Sequence, residues 1–284
     1  MSRRMRIPPN VAQRIAVAAL WVPTALVLAV LVFIIAFVLW RGLPHVTWEF
    51  LSESPRDGGA AGGILPMIVG TALITALAVL IAAPLGVMTA IYLTEYTREG
   101  RLTSVIRFGA DCLAGIPSII FGLFGFIFFA IELGMGYSIL AGGITLALMV
   151  LPTIIRTSEE AIRAVPQSYR DVSFGLGSTR WQMVTHVVLR CALPGIGTGI
   201  VLSVGRSISE TAAVMLTAGS ETRMPQSIFD SSRTLALHFY TLATEGVSAS
   251  MPNAYATASV LIVAILVINM AAYYLMRRFV TKVR

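Results

Sequence analysis

Residues 166–190, PQSYRDVSFGLGSTRWQMVTHVVLR, lie between two long apolar runs and spell out helix, sharp turn, helix. Val165, Tyr169, Val172 and Leu176 recur at steps of four, three and four, which places them on one face of a helix opening at Pro166, a residue tolerated in a first helical turn. Gly177 ends that helix, because glycine accepts the left-handed conformation that helix termini often need. Thr179 followed by Gln182 matches a capping box, in which each side chain satisfies an orphan backbone N–H of the next helix. The plainer alternative is a solvated connection in which Arg163, Arg170 and Asp171 form a wet face.

What flanks this segment sets the fold class. Of 284 residues, 56% are hydrophobic and only 12% charged, against about 25% charged in soluble proteins. Crossing a hydrocarbon core of about 30 Å takes about 20 apolar residues. Six such runs stand at about 16–40, 64–93, 109–131, 138–157, 192–218 and 255–276. The expectation is an all-α integral membrane protein of about six transmembrane helices. Its parts are a tail at 1–15, a first anchor at 16–40, an outer loop at 41–63, a bundle over 64–276 and a tail at 277–284. Within the bundle, segment 158–190 leaves one face and segment 219–254 the other. In the latter, Ile228, Leu235, Leu237 and Phe239 are spaced for an amphipathic interfacial helix. The first run follows Arg3, Arg4 and Arg6 but is far longer than the apolar part of a secretory signal, so it reads as a retained anchor.

Arg and Lys collect beside cytoplasmic span ends. Here they crowd the two tails, the connection at 94–107 and segment 156–191, while the other face holds Arg41, Arg56, Arg223 and Arg233. Both termini are therefore expected in the cytoplasm. The net charge of +7 follows from this asymmetry and calls for no nucleic acid. Cys112 and Cys191 sit near different span ends without metal-ligand spacing, as structural thiols do.

Arg206 and Glu210 stand inside the fifth run, where a charged side chain costs roughly 2.5 to 3.5 kcal/mol and usually faces a cavity or a partner. Four apart on a helix they could pair, and Gly205, Ser207, Ser209, Thr211 and Ala212 around them suit close packing or a polar path. Helix glue is the plainer alternative. Asp111, four residues after Arg107, reads as half of an ion pair at the interface. Pro66, Pro84, Pro117, Pro152 and Pro194 fall in or at the ends of spans, where they permit kinks.

The segment DVSFGLGSTRWQMVTHVVLRCALPGI resembles the cytoplasmic signature of ABC importer permeases. Asp171, Val172 and Ser173 stand at its Glu-Ala-Ala positions, Gly177 at its Gly, and Val187 and Leu189 at its later hydrophobic pair. Asp replaces Glu, Val and Ser replace the alanines, and Arg190 stands where Pro would be, with Leu193 and Pro194 shortly after. GGILPMIVGT at 62–71, GIPSIIFGLFG at 115–125 and GRSISETAAVMLTAG at 205–219 together resemble the phosphate-specific permease pair, and the short loop after the first span favours its PstA member over PstC.

The resemblance implies a type I ABC importer permease (MetI-like) fold in a bacterial inner membrane. It implies a second permease of the PstC type, two copies of a PstB-like ATPase subunit that carries ATP and Mg, a periplasmic PstS-like phosphate-binding protein, and surrounding lipid. No cofactor is expected on this chain. Residues 166–181 would be a coupling helix meeting the ATPase through Tyr169, Asp171, Val172, Ser173, Leu176, Gly177 and Trp181. Arg206 and Glu210 match the family's essential Arg and Glu. Arginine's fork of donors suits phosphate oxygens, and Glu210 would hold that fork.

Rival classes meet obstacles in the residues. A phosphate-cradling GxxxxGK[ST] loop needs Lys, and Lys282, the chain's single Lys, is followed by Val283. An intramembrane hydrolase needs a nucleophile with its base, or paired carboxylates. His45, His186 and His238 all read as loop residues, and the spans offer Asp111 no second carboxylate. A permease for another oxyanion, molybdate or sulfate, shares the coupling segment but is not expected to carry all three further stretches.

Overall fold

The computed structural model describes residues 8–59, 61–98, 100–245 and 250–283. The basic start with Arg3, Arg4 and Arg6, and the final Arg284, lie outside them.

Helix α1 (Pro9–Gly42) leads into a short α2 (Trp48–Ser52) and a hairpin of β1 (Pro55–Arg56) against β2 (Ala61–Gly62), with Pro55 opposite Gly62. Asp57, Gly58, Gly59 and Gly62 in this hairpin all have positive φ. Helix α3 (Leu65–Ile91) ends in a π-helical turn, Tyr92–Tyr96. Then come α4 (Arg101–Ala114), α5 (Ser118–Gly125) with a π-helical extension to Glu132, and α6 (Ile139–Arg163). Helices α7 (Gln167–Gly175) and α8 (Arg180–Met183) follow, and α8 continues through π-helical Val184–Val188 into α9 (Leu189–Ile208). The chain closes with α10 (Ala212–Thr217), α11 (Leu235–Thr244) and α12 (Met251–Val283).

Among the described residues, five helical stretches are long and apolar enough to cross a membrane, and a sixth if α4 and α5, bent by 99°, count as one. The apolar run at 109–131 is therefore not a straight span. Proline lacks an N–H and pushes its predecessor out of the helical region, so Gly115, Ile116 and Pro117 break the ladder. The run at 192–218 differs in two ways. Its helix begins earlier, at Arg180, and stops at Ile208, leaving Ser209–Thr211 as a gap before α10.

The core lies between α3 and α6, where Ile74, Ala78, Leu146, Val150 and Ile154 are fully enclosed. Between apolar helices in lipid, association depends on close van der Waals packing, which small residues permit. Gly86 meets Ile154 and Gly143 meets Leu77; a Cβ at either would lie within 2.7 Å of its neighbour. Gly195 faces Ala161 and Gly199 faces Thr157, which sets α9 antiparallel to α6. Helix α1 stands apart from this core. It leans on α12, where the Arg41 guanidinium lies 5.2 Å from the Phe37 ring and 5.7 Å from that of Tyr255, while Leu20, Trp21, Val27 and Phe33 are exposed.

Segment 219–254 does not float as an amphipathic surface helix. Leu235 and Leu237 of α11 are buried, and the Leu235 N–H donates to Thr71 Oγ1 of α3 at 2.9 Å; Ile228 stays exposed. His238, expected in a loop, is enclosed in α11 beneath Gly59, and His186 lies in the π-helical turn before α9. Burial pushes the His238 imidazole down to about 4, with Arg233 nearby acting the same way.

Candidate functional site

Two places hold the residues singled out in the sequence. The first is α7 with its turn into α8. Helix α7 opens after Pro166 and gives way at Leu176, and Gly177 takes φ +83°, a conformation that penalises any Cβ. Its N–H donates to Phe174 O at 2.9 Å and that of Ser178 to Ser173 O at 3.2 Å. The capping box forms as read: Gln182 N–H to Thr179 Oγ1 at 3.3 Å, and Thr179 N–H to Gln182 Oε1 at 2.9 Å.

Val172, Leu176 and Trp181 are 63%, 84% and 64% exposed, and Tyr169 is half exposed beside them. Asp171 is exposed too and accepts from Gln167 Nε2 at 3.1 Å. Large apolar side chains so placed form a surface that water does not favour. Two residues point elsewhere. Val165, on the same calculated face, is buried in the core below, and Ser173 is buried with its hydroxyl 2.6 Å from that of Ser178. Ser173 thus braces the turn.

Sequence reasoning missed what holds this helix from behind. Arg170 is not on a wet face: its side chain is 11% exposed and pairs with Glu95, 7% exposed, at 2.7 Å. Beside it, Glu159 of α6 is nearly enclosed and accepts from Arg107 Nε at 2.7 Å, with Arg163 at 2.9 Å and Arg156 at 3.8 Å. Asp111 pairs with Arg156 across to α6, not with Arg107 on its own helix. These partners are separated by up to 75 residues, so no local spacing could announce them.

The second place is the gap in the fifth span. Pairing Gly195 with Ala161 and Gly199 with Thr157, and continuing that antiparallel register, sets Arg206 level with Val150, at the middle of α6. At the break Ser209 Oγ donates back to Gly205 O at 3.0 Å and Arg206 O at 3.1 Å. Arg206 occupies the last turn of α9, where the dipole favours a cation, and Glu210 Oε1 accepts from Ala213 N–H at the start of α10, where it favours an anion. No ion pair joins the two. Arg206 is exposed on the isolated subunit and Glu210 half-buried, while the buried Ser207 hydroxyl beside them has no partner among the described residues. A helix interrupted at mid-height, with charged residues at the interruption, is how transporters place polar groups for cargo within a bilayer. Among the described residues no group of three or more His, Cys, Asp or Glu could hold a metal ion.

The combination defines a class: a polytopic helical membrane protein with a short, partly apolar helix tied at one end by a buried ion pair and a charged break in a span. Residues 82–284 match the family described as "Binding-protein-dependent transport system inner membrane component", and the chain belongs to that family. It is 34% identical to the Probable ABC transporter permease protein YqgI of Bacillus subtilis (strain 168), covering 88% of this chain and 90% of that one. It is 35% identical to the Phosphate transport system permease protein PstA 1 of Mycobacterium tuberculosis (strain ATCC 25618 / H37Rv), covering 85% and 80%. To PstA of Mycobacterium leprae (strain TN) it is 34% identical, covering 95% and 89%.

Among solved structures, a bacterial alginate ABC transporter in complex with its pentasaccharide-bound periplasmic protein superposes with a TM-score of 0.70, at 14% identity, over 95% of this chain and 96% of that one. The inward-facing MetNI methionine ABC transporter gives 0.63 at 20% identity, over 76% and 95%. The fold is that of the type I ABC importer permeases, as the resemblance implied.

Proposed function

We propose that this chain is the PstA-type permease subunit of an ATP-driven importer that carries inorganic phosphate across a bacterial inner membrane by alternating access. The observation that carries this reading is the exposed group of Tyr169 and Val172 on α7, Leu176 at its end and Trp181 on α8, with α7 fixed from behind. Identities of 31% to 35% to PstA permeases over most of the chain support phosphate as the cargo. The α7 end is cytoplasmic in this reading, since basic loops gather there, and so are both termini.

ATP and Mg would reside on a pair of PstB-like ATPase subunits below α7. A PstC-like permease completes the membrane domain with lipid around it, and a PstS-like binding protein delivers phosphate from the periplasm. Hydrolysis belongs to the ATPase; this chain supplies the path. Phosphate near neutral pH is a mono- or dianion, and the Arg206 guanidinium, at mid-height and with no carboxylate partner among the described residues, offers the fixed donors its oxygens need. Glu210 tempers that attraction by lying on the other side of the gap.

The test is ATP hydrolysis by the reconstituted assembly in the presence of binding protein with phosphate, sulfate or molybdate. Stimulation by phosphate alone is expected. Stimulation by molybdate or sulfate instead would assign the chain to another oxyanion.

A further inference from the structure

A surface helix pushed by another subunit moves a membrane bundle only if it is stiffly joined to it. Helix α7 has nine residues and hangs between two short turns, so its covalent links alone leave it free to rock. Ser173 braces its far end, and one side chain ties it to other elements. Arg170 Nε donates to Glu95 Oε1 at 3.1 Å and Oε2 at 3.4 Å, and Nη2 donates to Oε1 at 2.7 Å. The same guanidinium reaches back to the end of α6, with Nη1 on Val165 O at 2.7 Å and Nη2 on Ile162 O at 3.0 Å. Carbonyls at a helix end lack partners within the helix, so this cation also closes off α6. Three elements are thereby keyed to a single fork.

Glu95 lies in the π-helical turn Tyr92–Tyr96 that ends α3, and a second arginine grips the same turn: the Arg180 guanidinium of α8 lies 5.9 Å from the Tyr96 ring. Such widened turns recur at functional positions in helices. From there α3 runs the length of the bundle, and its Thr71 and Thr75 share a groove with Val204 and Ile208, the last residues of α9 before the gap.

We propose that Arg170 and Glu95 form the strut that passes movement of α7 to α3, and along α3 to the broken span. Both are positioning residues. The inference rests on the reading of α7 as the helix that docks the ATPase. Lysine would not replace Arg170, because a single ammonium on a flexible stem cannot hold a carboxylate and two carbonyls in one plane.

The test uses the full complex in vesicles, with Glu95→Gln and Arg170→Lys, reading subunit association, ATP hydrolysis, and phosphate accumulated per ATP hydrolysed. Association and hydrolysis should persist while phosphate moved per ATP falls about tenfold. The double variant should be no worse than either single one, since both remove the same strut. An unchanged ratio in the assembled variants overturns the proposal. So does a parallel fall in association and hydrolysis, because the pair would then serve only to present α7. Should these variants fail to assemble, Glu95→Asp, which keeps the charge and shortens the reach, is read by the same ratio and the same two outcomes. The wild-type complex separates the two claims: no ATP-driven phosphate uptake there defeats the permease reading, whereas a loss confined to the variants concerns the strut alone.

Discussion

The two charged regions of this molecule are built in opposite ways. At the α7 end the carboxylates of Glu95 and Glu159 are enclosed and gripped by arginines from other elements, at 2.7 Å in each case. At mid-height Arg206 and Glu210, only four residues apart, serve opposite helix ends and do not meet. A buried carboxylate gripped by arginines from other elements holds those elements together, and losing one partner costs far more than the pair contributes. A charge left without a counter-ion inside a bilayer keeps its capacity to attract something else. On the proposed function, the tied end would serve as the mount for the ATPase and the open pair as the place that meets cargo.

Carboxylate removal at the α7 end has the largest expected effect. Glu159→Gln removes a nearly enclosed carboxylate on which Arg107, Arg163 and Arg156 converge and should lower unfolding free energy by about 3 kcal/mol, read as thermal melting in detergent. At the docking surface, Leu176→Glu places a charge in the exposed apolar row and should weaken ATPase association by about 2 kcal/mol, roughly thirtyfold, in a binding titration that leaves the melting curve unmoved. Glu210→Gln removes only a charged contact at the start of α10 and should cost about 1 kcal/mol. A Glu210 variant that melts as early as the Glu159 variant would erase the contrast between the two regions.

The smallest effect concerns the outer segment. The His238 imidazole is buried in its neutral form, with a folded value near 4 against 6.5 when free. The unfolded segment therefore binds more protons between those values, and stability present above 6.5 is lost as pH falls toward 4. Between pH 7 and 6 the loss should be under about 1 kcal/mol, visible as faster amide exchange in α11 and absent in His238→Leu.

Much of this architecture was legible in the residues. Apolar length marked the spans, and Pro166, Gly177 and the Thr179–Gln182 box wrote the α7 turn down to its hydrogen bonds, because caps and glycine turns depend on neighbours in sequence. The two interruptions left only partial marks: Pro117 permits a kink but sits amid apolar residues, and Ser209, Glu210 and Thr211 are polar but too few to separate the two apolar stretches they join. The partnerships were hidden for a different reason. Nothing local assigns Asp111 to Arg156 rather than Arg107, or brings Arg170 to Glu95, since those pairs exist only once α4, α3 and α6 have packed. For the same reason a solvated Arg170 stood as an alternative; the spacing that could let Arg206 meet Glu210 holds only in a continuous helix, and α9 stops at Ile208.

The central claim is that the unpaired guanidinium at the break eases an anion across the membrane. Its most direct test is phosphate accumulation by vesicles holding the complex with Arg206→Gln, in preparations shown to bind the ATPase and hydrolyse ATP. The account predicts that accumulation disappears while assembly and hydrolysis remain. Accumulation at the wild-type rate would remove Arg206 from the path and leave the break a matter of packing.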